Sequence, residues 1–525
     1  MKYTKNFKLW LSLLLIVMTF LGISSFANFR SPDIYDPDSF YHIRHSQIYG
    51  EKSIFYSDFP WAQYSIIKDL KADLWYGFHI FLLPFTYFSD LGLGIKVAGF
   101  FITLFVLGSF YFALRNLNIS LPWLWSSFFV FSSPMILYRM AMTRPHPLSL
   151  GIFILIFSFI IKGPWWPLLI FGFLVSWIHS ALFWFPLMIF AVVVVAKKIY
   201  HQEINLMKLG ASAGGIIIGL FVRPNPVANL KLIFIQIVEL YVSKKEVLDQ
   251  IIGGELRSPS FKNVETYALL LVILLIIATI LLGRIFYKKE VLAVNKKIVI
   301  LSSGILTIVT LIMYMNANRA IDIAAAFIVI FSAMILSYYY ELIKNKNYLS
   351  SFSKKTLNIS VSLLFLFMIF TAYNSIKVSD KNFITNAKPR TTFKEPALWL
   401  KENTKEGEIV FHLGWSQFPI LFFWNQHNYY INGMDPIFLY SYNPGLYWKA
   451  FYMLDKDTSG FTCGFINCEP KQMESIYDVL KNDFKVSYIF LRKVANPRFL
   501  DYVESDKNHF KKVYIDESNL IYTVL

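Results

Sequence analysis

The sequence predicts a polytopic α-helical membrane protein of about eleven spans, with a small α/β domain outside the membrane at the C-terminal end. Three observations predict it. Of 525 residues, 56% are hydrophobic and 18% aromatic, against about 45–50% apolar in a soluble domain. Basic residues gather in short links between apolar runs, the asymmetry that keeps cationic links in the cytoplasm. Beyond residue 378 the composition turns polar enough to fold in water. The formal charge of +16 is carried largely by those links. The lipid bilayer is therefore an expected partner and nucleic acid is not.

Residues 9–27 are apolar and long enough to span. Ser25-Phe26-Ala27 would pass as a signal cleavage site. The run is long for a signal segment, however, and many spans follow, so a retained helix with a cytoplasmic N-terminus is expected. Residues 28–91 then form an external loop. Its opening, Asp33-Ile34-Tyr35-Asp36-Pro37-Asp38-Ser39-Phe40-Tyr41-His42-Ile43-Arg44, crowds acids, a histidine and an arginine against a span. Charge beside a bilayer is costly and usually kept for function. Residues 75–88 are apolar, short and interrupted by Pro84, and read as a helix lying in the outer interface. Reading them as interfacial places every later lysine pair in the cytoplasm.

The remaining spans are expected at 93–114, 121–138, 148–161, 165–180, 182–196, 206–222, 266–287, 298–315, 321–342 and 357–376. Their cytoplasmic links carry Arg115, Lys162, Lys197-Lys198, Lys288-Lys289, Lys296-Lys297, Lys344, Lys346 and Lys354-Lys355. The short external links carry arginine alone: Arg139, Arg144, Arg223 and Arg319. A guanidinium stays charged and grips phosphate in a fork. Each arginine taken singly could merely snorkel to headgroups; the set points to a lipid-linked phosphate. A second long external loop covers 223–264. Helical periodicity runs over 230–252, with Glu239, Lys244, Lys245, Glu246 and Asp249 on the wet side, and Gly253-Gly254 marks a hinge or stop.

The chain thus divides into a membrane domain, 1–378, and an external domain, 379–525. In the latter, 395–403 and 470–482 read as helices, 408–413 and 486–491 as strands, and 513–525 as one or two more strands. An odd number of spans puts this domain outside. Cys463 and Cys468 close a short loop there, and an oxidising exterior favours a disulfide over a metal pair.

This layout resembles the GT-C membrane glycosyltransferases. Asp36-Pro37-Asp38-Ser39-Phe40-Tyr41-His42-Ile43-Arg44 is similar to the first-loop motif of oligosaccharyltransferase catalytic subunits, an aspartate-proline followed by aromatic residues and an arginine. Gly414-Trp415-Ser416-Gln417-Phe418, with Gly433-Met434-Asp435-Pro436 behind it, is similar to their tryptophan-rich signature and its trailing aspartate. Ser416 stands where that signature has its aspartate, and Gly414 replaces its first tryptophan. Arg139-Met140-Ala141-Met142-Thr143-Arg144-Pro145-His146-Pro147 lies where those enzymes carry an acidic metal-binding pair. Its Arg144-Pro145 resembles the Arg-Pro pair of other GT-C transferases instead.

The resemblance implies a transferase that moves a sugar or oligosaccharide from a polyprenyl-phosphate-linked donor to a protein or glycan acceptor, in a prokaryotic cell membrane. Asp36 is then the catalytic base, with Asp38 as the rival position and His42 orienting the carboxylate. Arg44, Arg144, His146, Arg223 and Arg319 are the candidates for the donor phosphate, and Trp415, Tyr430 and Asp435 for the acceptor groove. Packing alone also explains the apolar stripe over 415–424. Magnesium or manganese at Asp36 and Asp38 is the cofactor this resemblance allows; a metal held by two acidic loops is not supported, since the second loop has no acid. Alternatives are a lipid-linked glycan transporter or flippase, or a non-catalytic glycolipid-binding relative. Span interiors almost free of acids argue against transport.

Overall fold

The computed structural model describes residues 2–243, 253–287, 292–344, 351–455 and 460–525. Lys244, Lys245, Glu246, Asp249, Lys288, Lys289 and Lys346 lie outside the described residues. The chain divides into two compact units. The first comprises Met1–Tyr35, Leu93–Leu220 and Gly254–Ala387; the second comprises Asp36–Gly92, Phe221–Gly253 and Lys388–Leu525.

The first unit is helical. Among the described residues of the chain, seven helices are long and apolar enough to cross a membrane: Trp10–Phe29, Leu91–Asn116, Ser180–Ile199, Leu269–Tyr287, Val294–Asn316, Asn318–Glu341 and Val361–Ile384. Two interrupted pairs, Pro134–Met140 with Pro145–Ile161 and Leu206–Phe221 with Pro226–Leu240, raise the number to nine if each pair is one span. Among the described residues, length and composition therefore support seven to nine spans, and the count of eleven is not confirmed. The reason is local. The stretch 121–138 is two helices, Pro122–Phe131 and Pro134–Met140, because Ser133 caps the second through its hydroxyl and Pro134 opens it. Trp166–Ile178 has 13 residues, about 20 Å of helix, short of a hydrocarbon core of about 30 Å.

Asn318–Glu341 is the most enclosed of the seven, with 89% of its most apolar stretch buried, against 22% in Trp10–Phe29 and 17% in Val361–Ile384. Trp166–Ile178 and Leu206–Phe221 approach backbone to backbone. A Cβ on Gly172 would meet the Ser212 carbonyl, and one on Gly215 the Leu169 carbonyl. Ser176 adds a hydroxyl donated to the Ile216 carbonyl at 3.0 Å.

The second unit is built on a mixed sheet. Among the described residues the strands are β1 Ile409–His412, β2 Tyr429–Tyr430, β3 Phe461–Thr462, β4 Glu474–Ser475, β5 Val486–Arg492, β6 Phe510–Ile515 and β7 Asn519–Val524. Five form one sheet in the order β2-β1-β5-β7-β6; β3 and β4 pair separately. β2, β1 and β5 run parallel, and β7 and β6 are antiparallel. Phe411, Ile476, Leu480, Phe484, Ile489 and Tyr522 fill its core. Residues 61–63 extend this sheet past β2. The Tyr430 N–H donates to the Trp61 carbonyl at 2.8 Å, and the Gln63 N–H donates to the Tyr430 carbonyl at 2.8 Å. Lys394–Asn403 is helical as its periodicity predicts. The stretch 470–482 is instead broken into short pieces, because a capping box at Glu469 and Gln472 opens a single turn and Met473 then turns extended. Cys463 and Cys468 are joined by a disulfide.

Candidate functional site

The residues singled out by the sequence fall into a group in each unit. In the second unit Asp36 immediately precedes the helix Pro37–Glu51, with extended backbone. Pro37 suits that first helical position, where an N–H would go unused. Asp36 is 1% exposed, and its Oδ2 accepts from the Ser39 hydroxyl at 3.2 Å. Asp38 lies in the first turn, half-buried. It is four residues before His42 on the same helix, the spacing that puts two side chains on one face. His42 is buried, and its Nδ1 lies 2.9 Å from His79 Nε2. His79 Nδ1 in turn lies 2.6 Å from Asp73 Oδ2.

Asp73 also accepts from the Trp75 N–H at 2.9 Å and from the Tyr49 hydroxyl at 2.9 Å. Burial pushes its carboxyl up, but His79 and His45 beside it more than offset this and hold it well below the usual carboxylate range. His45 bonds Tyr41 through Nδ1 at 2.8 Å, and burial, with His79 next to it, lowers it to about 3. One donor atom from each of His45, Asp73 and His79 lies within 4.8 Å of the others. Among the described residues Asp36 and Asp38 belong to no such group of three. His45, Asp73 and His79 were not picked out by sequence reasoning. A signal existed, since His42, His45 and His79 are three of only nine histidines in the chain.

Two arginines of this unit are already engaged. Arg44 Nε donates to the Phe423 carbonyl at 2.7 Å, and its guanidinium lies 5.1 Å from the Phe423 ring centre. Burial lowers it to about 10. Arg223 donates to the Asp73 carbonyl at 3.2 Å. Of the acceptor candidates, Tyr430 is fully buried and donates its hydroxyl to the Asn425 carbonyl at 2.9 Å. Asp435 caps the helix Pro436–Tyr442, accepting from the Ile437 N–H at 3.2 Å, and is half-buried. Trp415 is half-buried on the single turn Trp415–Gln417. Phe422 and Phe423 are core.

The first unit gathers the other cations. Arg139 Nη2 lies 2.9 Å from Glu255 Oε2, and its Nε 3.3 Å from Asp322 Oδ2. Arg144 Nη1 and Arg319 Nη1 reach the other oxygen of Glu255 at 3.2 Å and 3.6 Å. Arg319 Nη2 is 2.7 Å from His146 Nδ1. A guanidinium only donates, so His146 accepts there through an unprotonated nitrogen. The His146 ring sits edge-on to His179, centroids 4.5 Å apart. Burial raises the Glu255 carboxyl, yet Arg319, Arg139 and Arg144 together hold it well below its ordinary value. Counted as ionised, three guanidinium groups face two carboxylates and leave one positive charge over. A carboxylate held by several guanidinium forks occupies the kind of position a phosphate takes. Glu255, Asp322 and His179 carried no sequence signal of their own; the Gly253-Gly254 hinge immediately before Glu255 was the nearest one.

With a multispan helical unit and a second unit whose mixed sheet takes in residues 61–63, the chain is similar in fold to solved structures of the GT-C type. No protein-family model matches the chain, and no curated protein does. The likeness is to solved structures. The archaeal oligosaccharyltransferase AglB from Archaeoglobus fulgidus, in complex with an inhibitory peptide and a dolichol-phosphate, aligns over 98% of this chain and 74% of its own, at TM-score 0.57 and 12% identity. The arabinofuranosyltransferase AftD from Mycobacteria aligns over 98% of this chain and 40% of its own, at 0.55 and 12%. ArnT from Cupriavidus metallidurans, bound to undecaprenyl phosphate, aligns over 97% of both chains, at 0.50 and 12%.

Proposed function

We propose that this chain is a membrane glycosyltransferase that moves a sugar or oligosaccharide from a polyprenyl-phosphate-linked donor to a protein or glycan acceptor at the outer membrane face. The observation that carries the reading is the convergence of Arg139, Arg144 and Arg319 on a single carboxylate. Such a cluster, with charge to spare, is suited to the phosphate that leaves when the anomeric carbon changes partner. AglB and ArnT were each solved with a polyprenyl phosphate bound, which supports the same donor class here.

In this reading Asp36, or Asp38, takes the acceptor's proton as the acceptor attacks the anomeric carbon. The bond from that carbon to the phosphate oxygen breaks, and the electron pair leaves with the phosphate. Arg144, Arg319 and His146 stabilise the charge that grows there, and Arg139 sets the cluster's geometry. His42 orients Asp38 from one turn along the helix. Trp415 and Asp435, which keep exposed surface, serve the acceptor better than buried Tyr430. In the same reading the N-terminus lies in the cytoplasm and residues 379–525 lie outside the cell, which the charge asymmetry of the links supports.

Transfer from a fluorescent polyprenyl-linked sugar pool, in membranes carrying the wild type, Asp36→Asn or Asp38→Asn at equal expression, tests the assignment. One of the two variants is expected to lose about 10²–10⁴-fold in rate. Full activity in both would remove the first-loop aspartates as the base.

A further inference from the structure

We propose that His45, Asp73 and His79 bind one divalent transition-metal ion of the zinc class. The inference is independent of sugar transfer. The three donors come from separate places: His45 from the helix Pro37–Glu51, His79 from the helix Tyr76–Leu82, and Asp73 from the turn before the latter. Their donor atoms already lie within 4.8 Å of one another, with Asp73 Oδ2 and His79 Nδ1 2.6 Å apart. The His45 and His79 rings stand 4.3 Å apart.

The atoms facing away from this point are held as metal ligands usually are. A ligating imidazole almost always anchors its other nitrogen, and a ligating carboxylate is itself hydrogen-bonded. Here His45 Nδ1 is anchored by the Tyr41 hydroxyl at 2.8 Å, and His79 Nε2 by His42 at 2.9 Å. Asp73 accepts from the Trp75 N–H and the Tyr49 hydroxyl, both at 2.9 Å. The hydrogen bond to Tyr41 leaves Nε2 of buried His45 as the nitrogen available to an ion.

Room for a fourth ligand adjoins the group. A cavity of about 10 Å³, lined by His45, Tyr49, Asp73 and Tyr76 among others, touches two of the three donors. That is about the space of one water. Three protein ligands and a water complete a tetrahedral site, and two imidazoles with one carboxylate favour zinc or cobalt over magnesium or calcium. On binding, the ion takes the place of the hydrogen bond between His79 Nδ1 and Asp73 Oδ2, and the ring proton of His79 then sits on Nε2, facing His42. The ion would then bolt Pro37–Glu51 to Tyr76–Leu82, fixing the helix that begins at Asp36 and Asp38.

The test uses the full chain in detergent, stripped with a chelator and dialysed against cobalt(II). One cobalt per chain should remain, with the ligand-field absorption of a tetrahedral ion, and stoichiometric zinc should bleach that band. His45→Ala and His79→Ala should lose the ion. Asp73→Asn, nearly isosteric, should lose it too without disturbing the fold. Tyr49→Phe, which removes a bond to the carboxylate, should bind roughly tenfold more weakly. His201→Asn, at an exposed histidine of the other unit, should bind as the wild type does. No retained cobalt in the wild type, or undiminished cobalt in all three ligand variants, overturns the proposal and leaves the group a hydrogen-bonded network.

Discussion

Glu255 shows how much a single side chain can hold. It is the shared partner of Arg139, Arg144 and Arg319, and its side chain is 34% exposed. Removing one partner from a buried ion pair strands the other charge; the exposure tempers that penalty here. Glu255→Gln leaves three guanidinium groups with less compensation, so the variant should unfold more readily, by roughly 1–3 kcal/mol. The same vacancy of charge should make it a better anion binder. Inorganic phosphate is then expected to restore the variant's thermal midpoint more than it raises that of the wild type. A midpoint indifferent to phosphate would count against the cluster as a phosphate site. Arg44 teaches the opposite lesson: an arginine inside a promising motif is spent on the Phe423 carbonyl and ring.

At the scale of elements, the crossing of Trp166–Ile178 and Leu206–Phe221 depends on having no side chain at the contact. Hydrocarbon offers helices no hydrophobic drive to associate, so close backbone approach does the work. Gly215 faces the Leu169 carbonyl so closely that any Cβ forces the pair apart. Gly215→Leu should therefore lower stability by about 1–3 kcal/mol, read as a fall in the thermal midpoint in detergent. Gly210→Leu is the control, since nothing lies within 4 Å of a Cβ there. Equal midpoints for the two variants would refute the close crossing. The helix Pro37–Glu51 depends on its contacts differently. His42 is bonded to His79, Ser46 donates to the His79 carbonyl at 2.7 Å, and Arg44 reaches Phe423, so the first-loop motif is fixed along its length.

For the whole molecule, orientation is the prediction that matters. Ser505→Cys places a thiol on an exposed position of the C-terminal segment, and Lys198→Cys places one on an exposed position in the last turn of the helix that ends at Ile199. A membrane-impermeant maleimide should label Ser505→Cys in intact cells and Lys198→Cys only after permeabilisation. The reverse pattern would invert the proposed topology. Cys463 and Cys468, being disulfide-bonded, add no background.

Hydropathy, charge asymmetry and the change of composition after residue 378 are properties of local windows. From them the sequence alone determined a multispan helical protein with a C-terminal α/β segment, and its motifs named the first-loop aspartates and the lone arginines. It could not determine where an apolar run breaks: Ser133 and Pro134 split one expected span, and Trp166–Ile178 falls short of another. Nor could it determine which charges meet. Arg144 and Glu255 are 111 positions apart, Arg319 and His146 are 173 apart, and Arg44 finds its carbonyl 379 residues away. Hydropathy and its period are set by neighbours along the chain, which a sequence displays. Ion pairs and ligand sets depend on how distant elements pack, and a separation of hundreds of residues leaves no periodic trace. Only the tertiary structure turned scattered arginines into a cluster around one carboxylate, and brought His45, Asp73 and His79 within reach of a single ion.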